Sequence, residues 1–312
     1  MENLLFSFNV MLPLIVEIMI GFFLRFIGVI TESTAKGMNK IVFKLFLPVM
    51  IFYNLYTSEL STAFNSKLII FAECSIIILA VLLCIIVPIF EKDNKKRGVI
   101  IQAIFRSNFA IFGIPLATAL STEDISGTAS VLIACVVVTF NVLAVVVLES
   151  FSHGKANFGK IAKGIVTNPL IIASIIGIIF LVFGIKLPNP IEKTVSSLSS
   201  VATPLGLVVL GSFIDFKVIK SNLKQIVWSV SGKLVIVPTI FLTVSYLMGF
   251  KGGVFAILIA VFASPTAVSS FAMADQMGQD GELAAQILML TTFICSFTVF
   301  GFILVFKTLG AI

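Results

Sequence analysis

The stretch FRSNFAIFGIPLATAL, residues 105–120, is apolar enough to cross a bilayer, yet it contains Arg106, Asn108, Gly113 and Pro115. Proline lacks a backbone donor and clashes with the preceding turn, and glycine loosens the backbone, so both favour an interruption in a helix. Charged side chains are costly inside a membrane and are functional by default. The stretch therefore predicts a broken membrane helix that carries polar groups into the interior of the bilayer.

The composition of the chain is that of an integral membrane protein. Of its 312 residues, 59% are hydrophobic and 12% are charged, and the mean hydropathy is +1.16. The net charge of +6 comes from basic residues in short connectors, so we predict that it sets membrane orientation and does not bind nucleic acid. The four cysteines and His153, the single histidine, form no metal motif, so no metal or cofactor is predicted.

Polar residues divide the chain into ten apolar segments, each close to the roughly 20 residues that span a bilayer. The predicted spans are 8–30, 37–57, 67–90, 98–119, 127–149, 165–185, 194–214, 225–249, 252–274 and 283–308. We therefore expect an all-α integral membrane protein with no large soluble segment between its spans.

The connectors predict the orientation of the chain, because short basic loops stay on the cytoplasmic side. Three connectors on one side of the ten-span arrangement are basic, and they contain Lys92, Lys95, Lys96 and Arg97, then Lys155, Lys160 and Lys163, then Lys217, Lys220 and Lys224. Both termini are therefore predicted to lie on the extracellular or periplasmic side of the cytoplasmic membrane.

A repeat relates the two halves of the chain. PLIVEIMIGFFLRFIG and PLIIASIIGIIFLVFG share a proline and two glycines at identical spacing. A constant offset of 156 residues pairs Pro13 with Pro169, Gly21 with Gly177, Gly28 with Gly184, Pro48 with Pro204, and Glu59 with Asp215. Because each half holds five spans, an odd number, the repeats at 1–150 and 151–312 are predicted to have inverted topology, as in many secondary transporters.

The repeat predicts a second broken helix, in the span at 252–274. Within the repeat, Ser107 aligns with Pro265 and Asn108 with Thr266. Inverted-repeat carriers bind substrate near the midplane between broken helices, where half-helix N-termini attract anions. The candidate substrate-binding residues are therefore Arg106, Ser107, Asn108, Gly113, Pro115, Ser264, Pro265 and Thr266.

Several polar residues inside the spans leave more than one interpretation open. We expect Arg106 to face the substrate, to pair with a carboxylate such as that of Glu73, or to reach an aqueous cavity. Glu73, Asn141 and Lys233 are candidates for lining the cavity or for coupling transport to H⁺ or Na⁺. Ion pairing, snorkelling or a hydrogen bond between helices would also explain these three residues.

Three motifs resemble the auxin efflux carrier family: NKIVFKLFLPVMIFYNL at 39–55, RSNFAIFGIPL at 106–116 and TPLGLVVLGSFID at 203–215. The resemblance covers nearly the whole chain and implies ten helices, in an architecture similar to that of sodium/proton antiporters and bile-acid symporters. It implies a scaffold of spans 1, 2, 6 and 7, which forms a homodimer, and a transport domain of spans 3–5 and 8–10. It further implies that the broken spans 4 and 9 cross at the substrate site and that the transport domain moves like an elevator.

Two residues depart from the family pattern. Ser107 stands where the family has a proline at the break of span 4, and Thr266 replaces a polar amide in span 9. Despite these changes, the resemblance still implies the fold. It no longer implies that auxin is the substrate.

The leading hypothesis is a secondary active or facilitative carrier of a small organic anion across the cytoplasmic membrane. The resemblance implies a malate-like or malonate-like carboxylate or an auxin-like acid. A sodium-coupled symporter of the same architecture is an alternative, whereas a cation antiporter would need carboxylates near the crossing, and none occurs between Gly98 and Leu120. A membrane sensor would need an output domain and an enzyme a catalytic set, and the sequence predicts neither.

Overall fold

The computed structural model describes residues 2–58, 65–152 and 158–312, and these residues form helices and no strand. Glu59, His153 and Lys155, on which parts of the repeat, metal and orientation arguments rest, lie outside the described residues. The helices are α1 Glu2–Phe26, α2 Glu32–Ile41, α3 Leu47–Tyr56, α4 Ser66–Phe90, α5 Asn94–Phe105, α6 Ile114–Leu120, α7 Ser126–Ser152, α8 Phe158–Thr167, α9 Pro169–Phe183, α10 Asn189–Ser212, α11 Phe216–Ser221, α12 Leu223–Ser231, α13 Val237–Leu247, α14 Gly252–Ala263, α15 Val268–Gln276 and α16 Gly281–Thr308.

Each predicted span has a helical counterpart in the structure. In the described residues, six helices are long and apolar enough to cross a membrane: Glu32–Tyr56, Ser66–Phe90, Ser126–Ser152, Asn189–Ser212, Leu223–Leu247 and Gly281–Thr308. Shorter apolar helices occupy Phe109–Leu120, Pro169–Phe183 and Gly252–Ala263. The span predicted at 165–185 is shorter than expected, because a separate helix, α8, ends at Thr167. The count of ten crossings in two inverted halves stays a prediction.

Three π-helical segments interrupt the regular helices, and each ends two residues before a proline. The segments Val42–Phe46, Phe109–Gly113 and Gly232–Ile236 lead into α3, α6 and α13, whose second residues are Pro48, Pro115 and Pro238. A proline ring clashes with the carbonyl group four residues earlier in a regular α-helix. The wider π turn relieves this clash, so the helix continues through each of these prolines.

Glycines bring α1 and α10 into backbone contact. A Cβ atom added to Gly21 would lie 1.9 Å from the carbonyl oxygen of Val208, and one added to Gly211 would lie 2.0 Å from that of Ile18. Small residues allow this close approach between membrane helices, where packing replaces the hydrophobic effect as the driving force. Helix α3 packs against both α9 and α10 and so extends this group of helices.

The second group of packed helices surrounds α14, whose residues from Phe255 to Ala263 are all buried. Helices α6, α13 and α16 contact α14, while α5 packs against α4, α7 and α16. By contrast, α1, α4 and α9 expose many apolar side chains. The chain segments around both predicted breaks therefore lie in the interior of the molecule, behind helices that offer apolar faces to lipid.

Replacing Gly211 by alanine is expected to lower the free energy of unfolding by about 1–3 kcal/mol, because overpacking carries costs of this size. The added methyl group would meet the Ile18 carbonyl of the neighbouring helix. The midpoint of thermal unfolding in detergent measures the effect. Gly301→Ala is the matched control, since a Cβ atom there meets nothing within 4 Å. Equal melting of the two variants would contradict the backbone contact between α1 and α10.

Candidate functional site

The chain leaves the helical conformation at Arg106, directly after α5. Arg106 is extended (φ −86°, ψ 122°), and Asn108 (φ −79°, ψ 55°) begins the next turn. The Asn108 carbonyl accepts the N–H groups of Phe112 and Gly113, each at 3.1 Å, as the helix resumes in its π-helical form. The break predicted in span 4 lies at residues 106–108, and Pro115 lies seven residues after Asn108, at the start of α6.

A second break separates α14 from α15. Ser264 (φ −63°, ψ 153°) and Ala267 (φ −69°, ψ 139°) are both extended, with Pro265 between them. The Ser264 hydroxyl donates to the carbonyl of Ala260 in the last turn of α14. This bond satisfies one of the carbonyl groups that a helix end leaves without a partner.

The two breaks cross and bond to one another. Ser107 and Thr266 form an isolated antiparallel bridge, and the Asn108 N–H donates to the Pro265 carbonyl at 2.8 Å. Backbone groups inside a membrane need partners within the protein, because lipid supplies none. Each break therefore satisfies part of the backbone that the other exposes.

Buried side chains add two further bonds across the crossing. The Thr266 hydroxyl donates to the carbonyl of Ala103 at 2.8 Å, and the Gln102 amide donates to the carbonyl of Ser270, also at 2.8 Å. Both bonds join α5 to the second break. The Thr266 hydroxyl proton is therefore used within the protein in this conformation.

Arg106 is buried at the crossing and holds neutral partners. Its guanidinium donates to the side-chain oxygen of Asn141 at 2.5 Å and contacts the sulfur of Met273 at 3.2 Å. A guanidinium has five N–H donors, so others stay available. Within the described residues no carboxylate lies at ion-pair distance from Arg106. The predicted alternative of a pair with Glu73 is therefore wrong.

Lys233 brings a second buried cation to the crossing. It lies in the π-helical segment between α12 and α13, is fully buried, and donates from its amino group to the Ser107 hydroxyl. Like Arg106, it makes no ion pair with a carboxylate of the described residues. Two positive groups from different helices thus meet the same break without a negative partner in the described part of the chain.

A cavity of about 60 Å³ lies at the crossing, and the first residues of both second half-helices line it. The first N–H groups of a helix have no partner within that helix and give its start a partial positive charge. These groups, Arg106 and polar side chains therefore face one space. Its polar and half-helix lining comprises Asn54, Arg106, Ser107, Asn108, Phe109, Ala110, Ile111, Asn141, Thr203, Ala267, Val268 and Ser269.

The central cavity adjoins a larger vestibule of about 360 Å³. The two spaces share lining residues, including Asn54, Ala110 and Thr203, and the vestibule extends to Thr57 and Ser58 beyond the end of α3. The central cavity is thus approached from the α3 end of the helix pair α2–α3.

The opposite end of that helix pair has a separate, charged cavity of about 430 Å³. Between this cavity and the crossing, the Asn39 amide donates to the carboxylate of Asp275 at 2.5 Å, which links α2 to the end of α15. The charged residues that line the cavity are Arg25, Glu32, Lys36, Asp215 and Glu282.

The structure brings some of the predicted site residues to the central cavity and places others behind it. Arg106, Ser107, Asn108 and Asn141 line the cavity, whereas Pro115, Ser264, Pro265, Thr266, Lys233 and Glu73 are not among its lining residues. Gly113 serves helix packing, since a Cβ atom there would lie 2.8 Å from the carbonyl oxygen of Ala260 in α14. Glu73, on α4, has one carboxylate oxygen buried without a partner.

Sequence reasoning missed two polar residues of the cavity, Thr203 and Ser269. Each had a signal in the sequence: Thr203 directly precedes Pro204, one of the repeat-related prolines, and Ser269 belongs to the polar run that follows Pro265. Neither signal says on which side of its helix the hydroxyl lies.

Comparison with known proteins identifies the family. A family model described as "Membrane transport protein" matches residues 6–160 and 158–303. An uncharacterized transporter of Methanocaldococcus jannaschii is 26% identical over 295 residues, which cover 91% of this chain and 94% of that protein. An uncharacterized transporter of Methanothermobacter thermautotrophicus is 25% identical over 295 residues, covering 92% and 94% of the two chains.

A third relative resembles a shorter part of the chain. The protein named "Putative malonate transporter" in Rhizobium meliloti is 25% identical over 149 residues, 47% of each chain. Since the family model covers nearly all of the sequence, this chain is a multi-pass membrane transporter that belongs to the membrane transport protein family, the auxin efflux carrier family that its three motifs indicated.

Proposed function

We propose that this transporter carries a small organic anion across the cytoplasmic membrane. The observation that supports this most directly is the convergence of two half-helix starts and the buried Arg106 guanidinium on one cavity. A helix start carries about half a positive charge, and a guanidinium binds a carboxylate through two parallel hydrogen bonds. A carboxylate is the ligand that these donors fit best, and transport, with no catalytic step, is the activity.

Three neutral polar groups would orient the substrate. The side-chain amides of Asn54 and Asn108 and the hydroxyl of Ser269 line the cavity, and among the described residues none of them has a hydrogen-bond partner. Amides and hydroxyls both donate and accept, so they can bind a carboxylate oxygen or a hydroxyl of the substrate.

The charge at the crossing favours a dicarboxylate over a monocarboxylate. Arg106 and Lys233 are both buried and unpaired with carboxylates of the described residues, and an uncompensated buried charge is costly. Lys233 lies behind the cavity lining and donates to Ser107, which lines it. A malonate-like or malate-like dianion would therefore compensate Arg106 by direct contact and bring a second negative charge near Lys233, whereas an auxin-like monoanion brings only one charge. The relative named as a malonate transporter agrees with this choice over the half-length that it matches.

The same charges argue against a cation antiporter. Two basic side chains at the crossing disfavour a cation, and Lys233 already occupies the Ser107 hydroxyl that a sodium ion would otherwise use as a ligand. Coupling of organic-anion transport to a proton or sodium gradient is a separate question, and sodium symport is the alternative mechanism.

The geometry of the crossing supports the inverted repeat. A two-fold axis that exchanges Ser107 with Pro265 and Asn108 with Thr266 would carry the pair Ser107–Thr266 onto the pair Pro265–Asn108. Main-chain contacts link both pairs. We therefore propose ten spans in two inverted halves, 1–150 and 151–312, with spans 4 and 9 as the symmetry-related broken helices.

Helix packing supports a division into a scaffold and a transport domain. We assign α1, α2–α3, α9 and α10 to the scaffold and the helices around α14 to the transport domain, because α1 packs on α10 and α3 on α9 and α10. The exposed apolar faces of α1 and α9 are the surfaces through which we propose that the scaffold forms a homodimer.

The two ends of the crossing differ in access, as an alternating-access carrier requires. The vestibule leads to the end of α3, while the Asn39–Asp275 hydrogen bond joins the scaffold to the transport domain at the other end. With the basic connectors on the cytoplasmic side, this is an outward-facing conformation. An elevator movement of the transport domain would break the Asn39–Asp275 bond and open the charged cavity.

Arg106→Gln is expected to reduce uptake of labelled malonate and malate into proteoliposomes by about tenfold or more, because a hydrogen bond to a charged group contributes about 1.5–3 kcal/mol. Lys251→Gln is the matched control, as it removes an exposed positive charge at the start of α14. Sodium and proton gradients are imposed separately, and auxin-like acids serve as competing substrates. Wild-type uptake by the Arg106 variant, or movement of no organic anion at all, would defeat the proposal.

Asn141→Leu and Asn141→Asp are expected to separate the contribution of Arg106 to protein stability from its role in substrate binding. Leucine removes the 2.5 Å acceptor and should lower the free energy of unfolding by about 1.5–3 kcal/mol. Aspartate keeps the acceptor and the melting temperature, but its negative charge competes with the substrate. Melting with and without malonate should therefore show no stabilisation by malonate in Asn141→Asp, and retained stabilisation there would speak against an anion at Arg106.

Cysteine labelling is expected to give the sidedness of the vestibule. In a variant without the four native cysteines, Ser58→Cys should react with a membrane-impermeant maleimide in intact cells. Lys36→Cys, which is exposed at the charged cavity, should react only after permeabilisation. The reverse pattern would show that the chain has the opposite orientation.

A further inference from the structure

An apolar groove of about 210 Å³ runs between α4 and the helix pair α12–α13, on the outside of the molecule. Leu82 and Ile86 of α4 form one wall, and Ile236 and Ile240 form the other; all four are exposed. The groove has almost no polar lining, so an acyl chain suits it and a water-soluble ligand does not.

Gly232 leaves its part of the groove without a side chain. This residue lies at the floor, where a Cβ atom would come within 3.1 Å of the Ile104 side chain of α5. The missing side chain lets the helix pair approach α5 closely and leaves a channel between the larger side chains on either side.

An aromatic pair closes one end of the groove. The rings of Phe90, the last residue of α4, and Trp228 stack with centroids 4.8 Å apart and planes 20° apart. Tryptophan is enriched where a membrane helix meets the headgroup region. Trp228, the single tryptophan of the sequence, therefore marks the end of the groove at which a lipid headgroup would lie.

Positive charge lies at that same end. Lys224 precedes Trp228 by one helical turn and so lies on the same face of α12, and Lys92 follows Phe90 by two residues. Both lysines are exposed, and neither makes an ion pair with a described residue. Lys224 also lies in the first turn of α12, where a helix favours an anion.

The nearby acidic groups are held by internal bonds. Glu91 accepts from the Gln225 amide at 2.7 Å and from the Asp93 N–H at 2.8 Å, and Asp93 accepts from the Lys95 N–H at 3.0 Å. Their oxygens point to partners in the connector and in α12. Both carboxylates keep their negative charge. The five basic side chains of this region outnumber them, namely Lys92, Lys95, Lys96, Arg97 and Lys224.

We propose that this groove binds an anionic phospholipid, with an acyl chain between α4 and α13 and the headgroup phosphate at Lys92 and Lys224. The lipid would support the crossing from behind. The groove floor includes Ile104, two residues before Arg106, and Gly232, directly before Lys233. This site is independent of the transported substrate.

Because Trp228 is the single tryptophan of the sequence, its fluorescence reports on lipid bound in the groove. The protein is reconstituted in phosphatidylcholine vesicles that contain brominated phosphatidylglycerol or, in parallel, the same fraction of brominated phosphatidylcholine. Bromine quenches Trp228 fluorescence at short range, so the mole fraction that gives half-maximal quenching reports occupancy. We expect phosphatidylglycerol to bind about thirtyfold more tightly, since each of the two lysines near the headgroup adds about 1 kcal/mol.

The variants assign the preference to residues. Lys92→Gln combined with Lys224→Gln should bring the ratio of the two lipids close to one, while Lys193→Gln combined with Lys251→Gln, which removes two other exposed charges, should leave it unchanged. Ile240→Phe should reduce quenching by both lipids by filling the groove, unlike Val244→Phe, one turn away and outside the groove.

Three results would overturn the proposal. Equal quenching of the wild type by the two lipids would reduce the groove to ordinary contact with bulk lipid. A preference that survives in the Lys92 and Lys224 double variant would place the headgroup elsewhere. A change from dimer to monomer in Ile240→Phe, measured by light scattering, would show that a second copy of the chain covers the groove. If the wild-type protein does not transport malonate but prefers phosphatidylglycerol as expected, the proposed function is contradicted and the lipid site is not.

Discussion

The structure depends on the contact between two interrupted helices in its interior. A helix break inside a membrane exposes N–H and carbonyl groups that lipid cannot satisfy. The bridge between Ser107 and Thr266, with the bond from Asn108 to Pro265, lets each break satisfy the other. Neither break is stable alone, so the crossing forms only when residues 159 positions apart in the chain, such as 107 and 266, come together. The same constraint turns two helix starts toward one cavity, which is the origin of the affinity for anions that we propose.

Buried positive charge links stability to function at this point. Arg106 has an amide oxygen and a sulfur as partners, and Lys233 has a hydroxyl. Neutral dipoles compensate a buried cation only in part. The crossing therefore retains electrostatic free energy that the proposed anionic substrate would release on binding. Bound substrate would then stabilise the contact between the two breaks. This favours movement of the substrate-bound transport domain as one rigid body.

The sequence predicted the parts of this arrangement that follow from periodicity and symmetry. Asn108 was found in the first interrupted stretch, Pro265 was found because the repeat required a second break opposite the first, and apolar length located the helices. The predictions that failed concern which helix faces lie opposite each other. The partner of Arg106 is Asn141 of α7, not Glu73 of α4, although both are polar residues within predicted spans. Thr203 and Ser269 were missed for the same reason: no alternation in an almost wholly apolar helix shows which side lines a cavity.

Ser107 shows how a departure from the family pattern can be compatible with the crossing. The main-chain bond across the breaks is donated by Asn108 and accepted by Pro265, so it does not require a particular residue at position 107. A proline there would offer no side-chain acceptor. Serine offers a hydroxyl, and Lys233 uses it. The substitution thus ties the crossing to the helix pair α12–α13 through a cation that would otherwise have no described partner. A lysine buried at this depth and a serine at the break are one feature, because the serine hydroxyl supplies the acceptor that the buried amino group needs.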